Sequence, residues 1–357
     1  MKIYGQELEK RELLRKVGDI SQIGGIRLCQ AADGQEKGVR FAEVKNACGI
    51  DMRVLIDRGM DISDLRFNSV PIAWKSSVRE TSTAYYDKDG LEWLRTFYGG
   101  FLFTCGLTTA GMPSVDNGEE LGLHGRIGNI ASENICIENS WSGDGYMLTI
   151  KGTVRESRVY GDCLELTRKI KVPMDKSKVL LNDTVENIGH KTSPLMIIYH
   201  MNFGFPLIDK NSYLIEPKSV ITPMSDEAEK GLKDCLAFSE PVSGFKEQVY
   251  CHEIPSNRGG MSNIALVNEE FNNGNGFGIW LKFSSASLQY LNEWKQMGFG
   301  EYVCGLEPAN CKTYGRKTSR EKNELKFLEP GESEEFHIEV DILENNEEIK
   351  KAKAAIK

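Results

Sequence analysis

A chain of 357 residues with 44 Lys and Arg against 52 Asp and Glu has a formal charge of −8, which argues against a general nucleic-acid or anionic-membrane surface and points to a small-molecule partner. Nine scattered cysteines without a CxxC pair read as reduced thiols and speak against a disulfide frame or a zinc motif. The opening MKIYGQELEKREL lacks the apolar stretch of a signal peptide and no run approaches the roughly 18 apolar residues of a membrane span, so a cytoplasmic protein without membrane attachment is expected.

Residues 7–17, ELEKRELLRKV, predict one short N-terminal helix, with Leu13, Leu14 and Val17 on one side and Gly18 as its stop. From Ile26 the period changes to two: in DMRVLIDRG, Met52, Val54 and Ile56 alternate with Arg53, Leu55 and Asp57. Strand-like runs follow at 101–107, 134–138, 146–154, 163–172, 179–185, 195–200, 264–267, 278–283 and 336–342. Gly143-Asp144-Gly145, Asn273-Gly274-Asn275-Gly276 and Glu329-Pro330-Gly331 supply turn chemistry between them. Many short strands joined by such turns predict an all-β sandwich or barrel. Residues 75–95 form a polar insertion expected to loop over one face, and the segment after Leu343 reads as a charged, solvated end. The organisation expected is an N-terminal helical segment over 1–20, one β domain over 21–343 and a charged tail over 344–357.

Glu307 is the residue that most demands an explanation. It sits in the apolar run YVCGLEP, where a carboxylate either meets a cation or hydrogen-bond donors or has a raised pKa suited to proton chemistry. His200 follows the apolar run PLMIIY and precedes a Gly/Pro loop; it is either a proton shuttle or a core histidine held by a backbone carbonyl. His124 and Arg126 lie in GLHGRIGN, whose glycines allow close approach to a ligand, or which is simply a turn. Arg58, in DRGMDI, either holds a sugar hydroxyl or pairs with Asp57 or Asp61. Gln289 and Trp294, in LQYLNEW, combine an amide with a ring able to stack on a sugar face, or the tryptophan is structural. His252 is undecided, while His190 and His337 read as structural or solvated. No HExxH, HxH, GxSxG or phosphate loop occurs, so no metal, nucleotide or serine-hydrolase motif is expected.

Taken in order, LHGRIGN, YHMNFGFPL, LQYLNEW, YVCGLEP and the closing LEPGESEEFHIEV resemble the aldose 1-epimerase (galactose mutarotase-like) superfamily, over roughly residues 20–343. The segments DRGMDI and FYGGFLFTCGL place the likeness closest to one branch of it. The resemblance implies a large antiparallel β-sandwich, the galactose mutarotase-like supersandwich, with an open sugar cleft. It implies Glu307 as general base, His200 as general acid and His124 as a substrate contact, with no cofactor. This chain departs from the pattern at Thr104-Cys105-Gly106-Leu107, where the better-known members carry a binding arginine. Arg58 or Arg126 is expected to replace it, and His252 or Glu253 lies nearest the missing substrate aspartate. Asn202, Gln289 and Trp294 complete the expected sugar contacts. The function implied is anomeric isomerisation of a sugar or sugar derivative; the alternative is a carbohydrate-binding or regulatory protein that keeps the cleft without turnover. A homodimer is compatible with either.

Overall fold

A computed structural model describes residues 1–356 of the chain. Its frame is three antiparallel sheets of nine, seven and five strands. The nine-stranded sheet is built on long neighbours, Gly145–Ser157, Cys163–Pro173, Lys178–Asn187 and Ser333–Leu343. Each alternates buried and half-exposed residues, as a sheet with one wet face requires. The seven-stranded sheet centres on Ser193–Gly204 and Tyr302–Ala309, which pair with each other. The five-stranded sheet runs from Gly25–Gln30 to Val70–Pro71. Val54, Ile150, Ile170, Met201 and Leu306, drawn from all three sheets, share one core. This is the large antiparallel β-sandwich that the family resemblance implied; the period-two pattern had left sandwich and barrel open.

Every residue of Ser193–Gly204 is buried. An antiparallel strand so apolar along its whole length is covered on both faces: the sandwich core lies on one side, and on the other lies a second cluster to which Phe41 and Leu55 of the five-stranded sheet contribute. The polar insertion closes that cluster: its two 3-10 turns, Thr83–Tyr85 and Glu92–Thr96, carry Trp93 and lead to Phe97. Residues on alternate positions of the strand therefore serve two different cores. Ile197, Met201 and Phe203 face the sandwich, each contributing on the order of 1.5–3 kcal/mol by burial, while Met196 and Ile198 pack with Trp93, Phe97 and Phe103 beneath the cover. The strand also continues past His200 to Gly204, further than its apolar run suggested.

Both chain ends depart from expectation. The N-terminal helix is only Lys10–Leu14, closed by a capping box between Glu9 and Glu12. The residues before it form a hairpin, Lys2–Ile3 on Gln6–Glu7, and Met1, Ile3, Leu13 and Val17 enter the main core. The C-terminal segment is not a solvated tail. Asn346–Ile356 is a helix whose Ile349, Ala352 and Ile356 are buried against Ala265, Val267 and Leu343 of the nine-stranded sheet. The cause is the i, i+3, i+7 spacing of those three residues, an apolar stripe that the surrounding lysines and glutamates mask in composition. No described helix is long and apolar enough to cross a membrane.

Candidate active site

The partner of Glu307 is fixed by strand register. Ile198 pairs with Ala309 and Asn202 with Gly305, which sets His200 opposite Glu307 on the two central strands. On the next strand, Tyr290–Met297, Asn292 pairs with Glu307 and Trp294 with Gly305. Cross-strand partners share a face. His200, Asn202, Asn292, Trp294, Gly305 and Glu307 thus form one patch on the outer face of the sheet, while Tyr199, Met201 and Leu306 point into the sandwich core.

His200 Nε2 lies 3.1 Å from Glu307 Oε1, with His200 5 % and Glu307 2 % exposed. The second ring nitrogen of His200 has no hydrogen-bond partner. Burial holds the Glu307 carboxyl up at about 8. It also drives the His200 imidazole well below its ordinary range, helped by the neighbouring His124. Both shifts disfavour charge, so each group rests neutral, with the Glu307 carboxyl protonated. His124 is also kept neutral by burial, down to about 4, and its Nδ1 is unpartnered.

Gly305 keeps the space over this pair open. A Cβ placed there would stand 2.9 Å from Glu307 Oε1, 3.1 Å from His200 Cε1 and 3.2 Å from Trp294 Cβ, so any side chain would press on the proton-bearing atoms. Aromatic rings supply the walls. The ring of Phe97 is 5.1 Å and that of Trp294 5.5 Å from His200, His124 is 5.7 Å away, and Trp93 lies against both Phe97 and His124. The cleft is therefore not the open groove expected: the insertion lies over the His200–Glu307 pair and leaves it almost wholly covered.

The expected site residues divide into two groups. His200, Glu307, His124 and Trp294 are brought together, and Asn202 stands beside them. The Asn202 amide nitrogen donates to Gly100 O and His200 O, while its Oδ1 is unpartnered. The other four lie elsewhere. Arg58 is wholly buried, and its guanidinium donates to Thr81 O at 2.6 Å, Thr96 O at 3.0 Å and Gly128 O at 3.0 Å. It neither meets solvent nor pairs with Asp57, which binds Arg40, or Asp61, which binds Arg168. Its role is to tie both ends of the covering insertion to the loop after His124. Arg126 is exposed and lines a separate cavity. Gln289 is exposed in a turn and donates to Ala286 O. His252 is on the opposite face of the sheet, buried between Glu216 at 2.8 Å and Glu293 at 3.1 Å. In each case local sequence polarity was real, and the face it would occupy was not legible.

One site residue was overlooked. Asn292 is wholly buried, faces Glu307 across the ladder and uses Nδ2 on Cys311 O, leaving Oδ1 unpartnered. Its place two residues before Trp294 was the available signal, since alternate strand residues share a face. The Thr104 segment, where an arginine is missing, is structural. Thr104 N and Oγ1 donate to Asp61 at 2.8 and 2.6 Å, and the buried Arg168 bridges Asp61 to Asp183. This network fixes the edge of the strand Phe103–Leu107 against Ser193–Gly204. Among the described residues no group of three or more His, Cys, Asp or Glu side chains is arranged to hold a metal ion.

With this geometry in hand, comparison with known proteins gives three results. The family model described as Domain of unknown function (DUF4432) matches residues 36–342. No curated protein matches the sequence. Among solved structures, a candidate aldose 1-epimerase from Klebsiella pneumoniae subsp. pneumoniae MGH 78578 superposes with a TM-score of 0.88 at 24 % identity, covering 98 % of this chain and 90 % of that one. A galactose mutarotase-like protein from Clostridium acetobutylicum superposes at 0.62 with 16 % identity, covering 90 % and 99 %. A galactose 1-epimerase from Lactobacillus acidophilus NCFM does so at 0.59 with 12 % identity, covering 90 % and 100 %. The galactose mutarotase-like fold is thereby shown.

Proposed function

The chain belongs to this family of domains of unknown function, and from that premise we propose that it is a cofactor-independent isomerase interconverting the anomers of a sugar or sugar derivative. The observation that carries the proposal is the neutral His200–Glu307 pair, 3.1 Å apart, buried, and free of other ion partners among the described residues. The mutarotase-like fold and the resemblance of the sequence around both residues support it.

The chemistry needs one acid and one base in proton-transfer reach of adjacent oxygens on a cyclic hemiacetal. The resting pair holds one proton, and transfer of that proton from Glu307 to His200 gives the carboxylate–imidazolium form without any change in total charge. When a sugar brings its hydroxyls, they stabilise this form. Glu307 then accepts the proton of the C1 hydroxyl while His200 donates its proton to the ring oxygen. The C1–O5 bond breaks and the C1–O1 bond becomes the aldehyde carbonyl. Rotation about C1–C2 presents the other face of the carbonyl. In the reverse transfers the C5 hydroxyl attacks C1, its proton returns to His200, and Glu307 protonates the new anomeric oxygen. The pair ends with the proton count with which it began.

His124, neutral and with an unpartnered nitrogen, accepts or donates one hydrogen bond to a hydroxyl, and the unpartnered Asn292 and Asn202 oxygens accept others. Trp294 and Phe97 offer ring faces to the apolar face of the sugar. The test is anomer equilibration followed by polarimetry or NMR saturation transfer across a panel of aldoses, uronates and sugar phosphates. Acceleration of at least one sugar is expected. Saturable binding with no acceleration of any bound sugar would show a binding protein instead.

A further inference from the structure

A sugar-sized cavity lies on the far side of the His124 loop, and it does not belong to the His200–Glu307 pair. Its volume is about 400 Å³, inside the range of small-molecule sites. Its lining includes Tyr86, Thr108, Thr109, Gly125, Arg126 and Glu156.

The loop divides the two sites by its backbone. Arg126 N donates to Gly106 O at 3.0 Å and Gly106 N to His124 O at 3.0 Å. Gly125, at φ +71, sits so close to the carbonyls of Thr109 and Gly106 that no Cβ fits. Fastened in this way, the loop sends the His124 imidazole against Trp93 and His200 and the Arg126 side chain into the cavity.

The charges of the cavity are unequal in an informative way. Arg158 is tied to Glu119, which Arg316 also holds, and Lys88 is tied to Asp89. Arg126 alone among the lining cations forms no ion pair with any described residue. Glu156 is buried and accepts from Leu107 N at 2.8 Å and Thr108 Oγ1 at 2.7 Å, leaving acceptor capacity toward the cavity. Glu120 and Asp162 line it with no ion partner among the described residues, and the buried Thr109 Oγ1 has no hydrogen-bond partner among them. The Tyr86 hydroxyl donates to Gly125 O at 3.1 Å, so its ring stays in place as a flat wall.

A bare anion would meet one unpaired guanidinium, Arg126, against three unpaired carboxylates, Glu120, Glu156 and Asp162, and be repelled. A polyhydroxylated molecule with one anionic group satisfies every feature: the anion on Arg126, hydroxyl protons on the carboxylates, a hydroxyl on Thr109 and a ring face on Tyr86. We propose that this cavity is a second carbohydrate site, selective for an anionic monosaccharide bearing a carboxylate or a phosphate, and separate from the proton-transfer pair.

The test is calorimetric titration of the full-length protein with D-glucuronate, D-galacturonate, D-glucose 6-phosphate, D-glucose and inorganic phosphate. At least one of the three anionic sugars is expected to bind at least tenfold more tightly than glucose or inorganic phosphate, and the uronate and sugar-phosphate arms identify the anionic group. Arg126→Gln is expected to weaken that binding tenfold or more, Thr109→Val by a few fold, and Glu307→Gln to leave it unchanged. Three results would overturn the proposal: no anionic sugar binding more tightly than glucose, binding that survives Arg126→Gln, or binding lost in Glu307→Gln. The last would assign the ligand to the proton-transfer pair and leave the proposed isomerase reading standing, whereas a failure of that reading would leave this binding intact.

Discussion

Two buried histidines meet carboxylates on opposite faces of the same sheet, and they end in opposite states. His200 has one carboxylate partner, Glu307 at 3.1 Å, and an unpartnered second nitrogen. His252 has two, Glu216 at 2.8 Å and Glu293 at 3.1 Å, one on each ring nitrogen. Burial alone would push both imidazoles down. It does so at His200, but at His252 the hydrogen bonds to Glu216 and Glu293 outweigh burial and hold the group up at about 9. With one carboxylate nearby, burial prevails and His200 stays neutral; with a hydrogen-bonded carboxylate on each ring nitrogen, His252 is held as the imidazolium. Saturation of hydrogen-bond capacity separates the charge states of the two histidines, and burial does not.

This comparison can be broken at either end. The largest effect is expected from Glu307→Gln and His200→Asn, each slowing anomer equilibration by about 10²–10⁴-fold while the protein stays folded. Wild-type rates in either variant, for the sugar that responds, would remove the pair from the mechanism. His252→Gln should do the reverse. It leaves two buried carboxylates without their cation and is expected to cost about 3–5 kcal/mol in urea unfolding, with the rate per folded molecule unchanged within a few fold.

The two histidines should also separate by pH. The folded pKa of His252, about 9, lies above its ordinary value of 6.5, so its contribution is complete below pH 6.5 and is lost as pH rises through 9. A loss of about 3 kcal/mol over that window is expected in wild type and not in His252→Gln. Activity should turn at a different point. Because Glu307 titrates at about 8, the pair loses its one proton above that pH, and the rate should fall roughly tenfold per pH unit from there. A rate that keeps rising past pH 9 would contradict a one-proton pair. The smallest effect belongs to Gly305→Ala, which presses on both proton-bearing groups and should slow turnover by roughly three- to tenfold at a modest stability cost.

Much of the site was legible in residues that violate their surroundings. Glu307 in an apolar strand and His200 beside an apolar run are locally anomalous, and such anomalies survive into the structure as the pair. Arg58, Arg126, Gln289 and His252 were locally polar as well, yet they went to four different places. Arg58 is the clearest lesson: its carbonyl partners come from Thr81, Thr96 and Gly128, and no pattern near Arg58 announces partners so far along the chain. The hidden stripe Ile349, Ala352 and Ile356 is a different kind of miss, since the helical period was present in the sequence and composition obscured it.

The sequence by itself determined the all-β class, the turns, and the local anomaly of Glu307 in an apolar run and His200 at the end of another. These follow from local physics: a period of two, residues suited to tight turns, and the cost of burying an unpaired charge. The resemblance had already paired His200 with Glu307; tertiary structure supplied the means, a register between strands about a hundred residues apart in the chain. It also decided that the insertion would cover the pair, that Arg58 would hold the cover, and that one glycine would set His124 and Arg126 on opposite sides of a single loop. Each of these rests on contacts between distant segments, whose energies no local window of sequence contains.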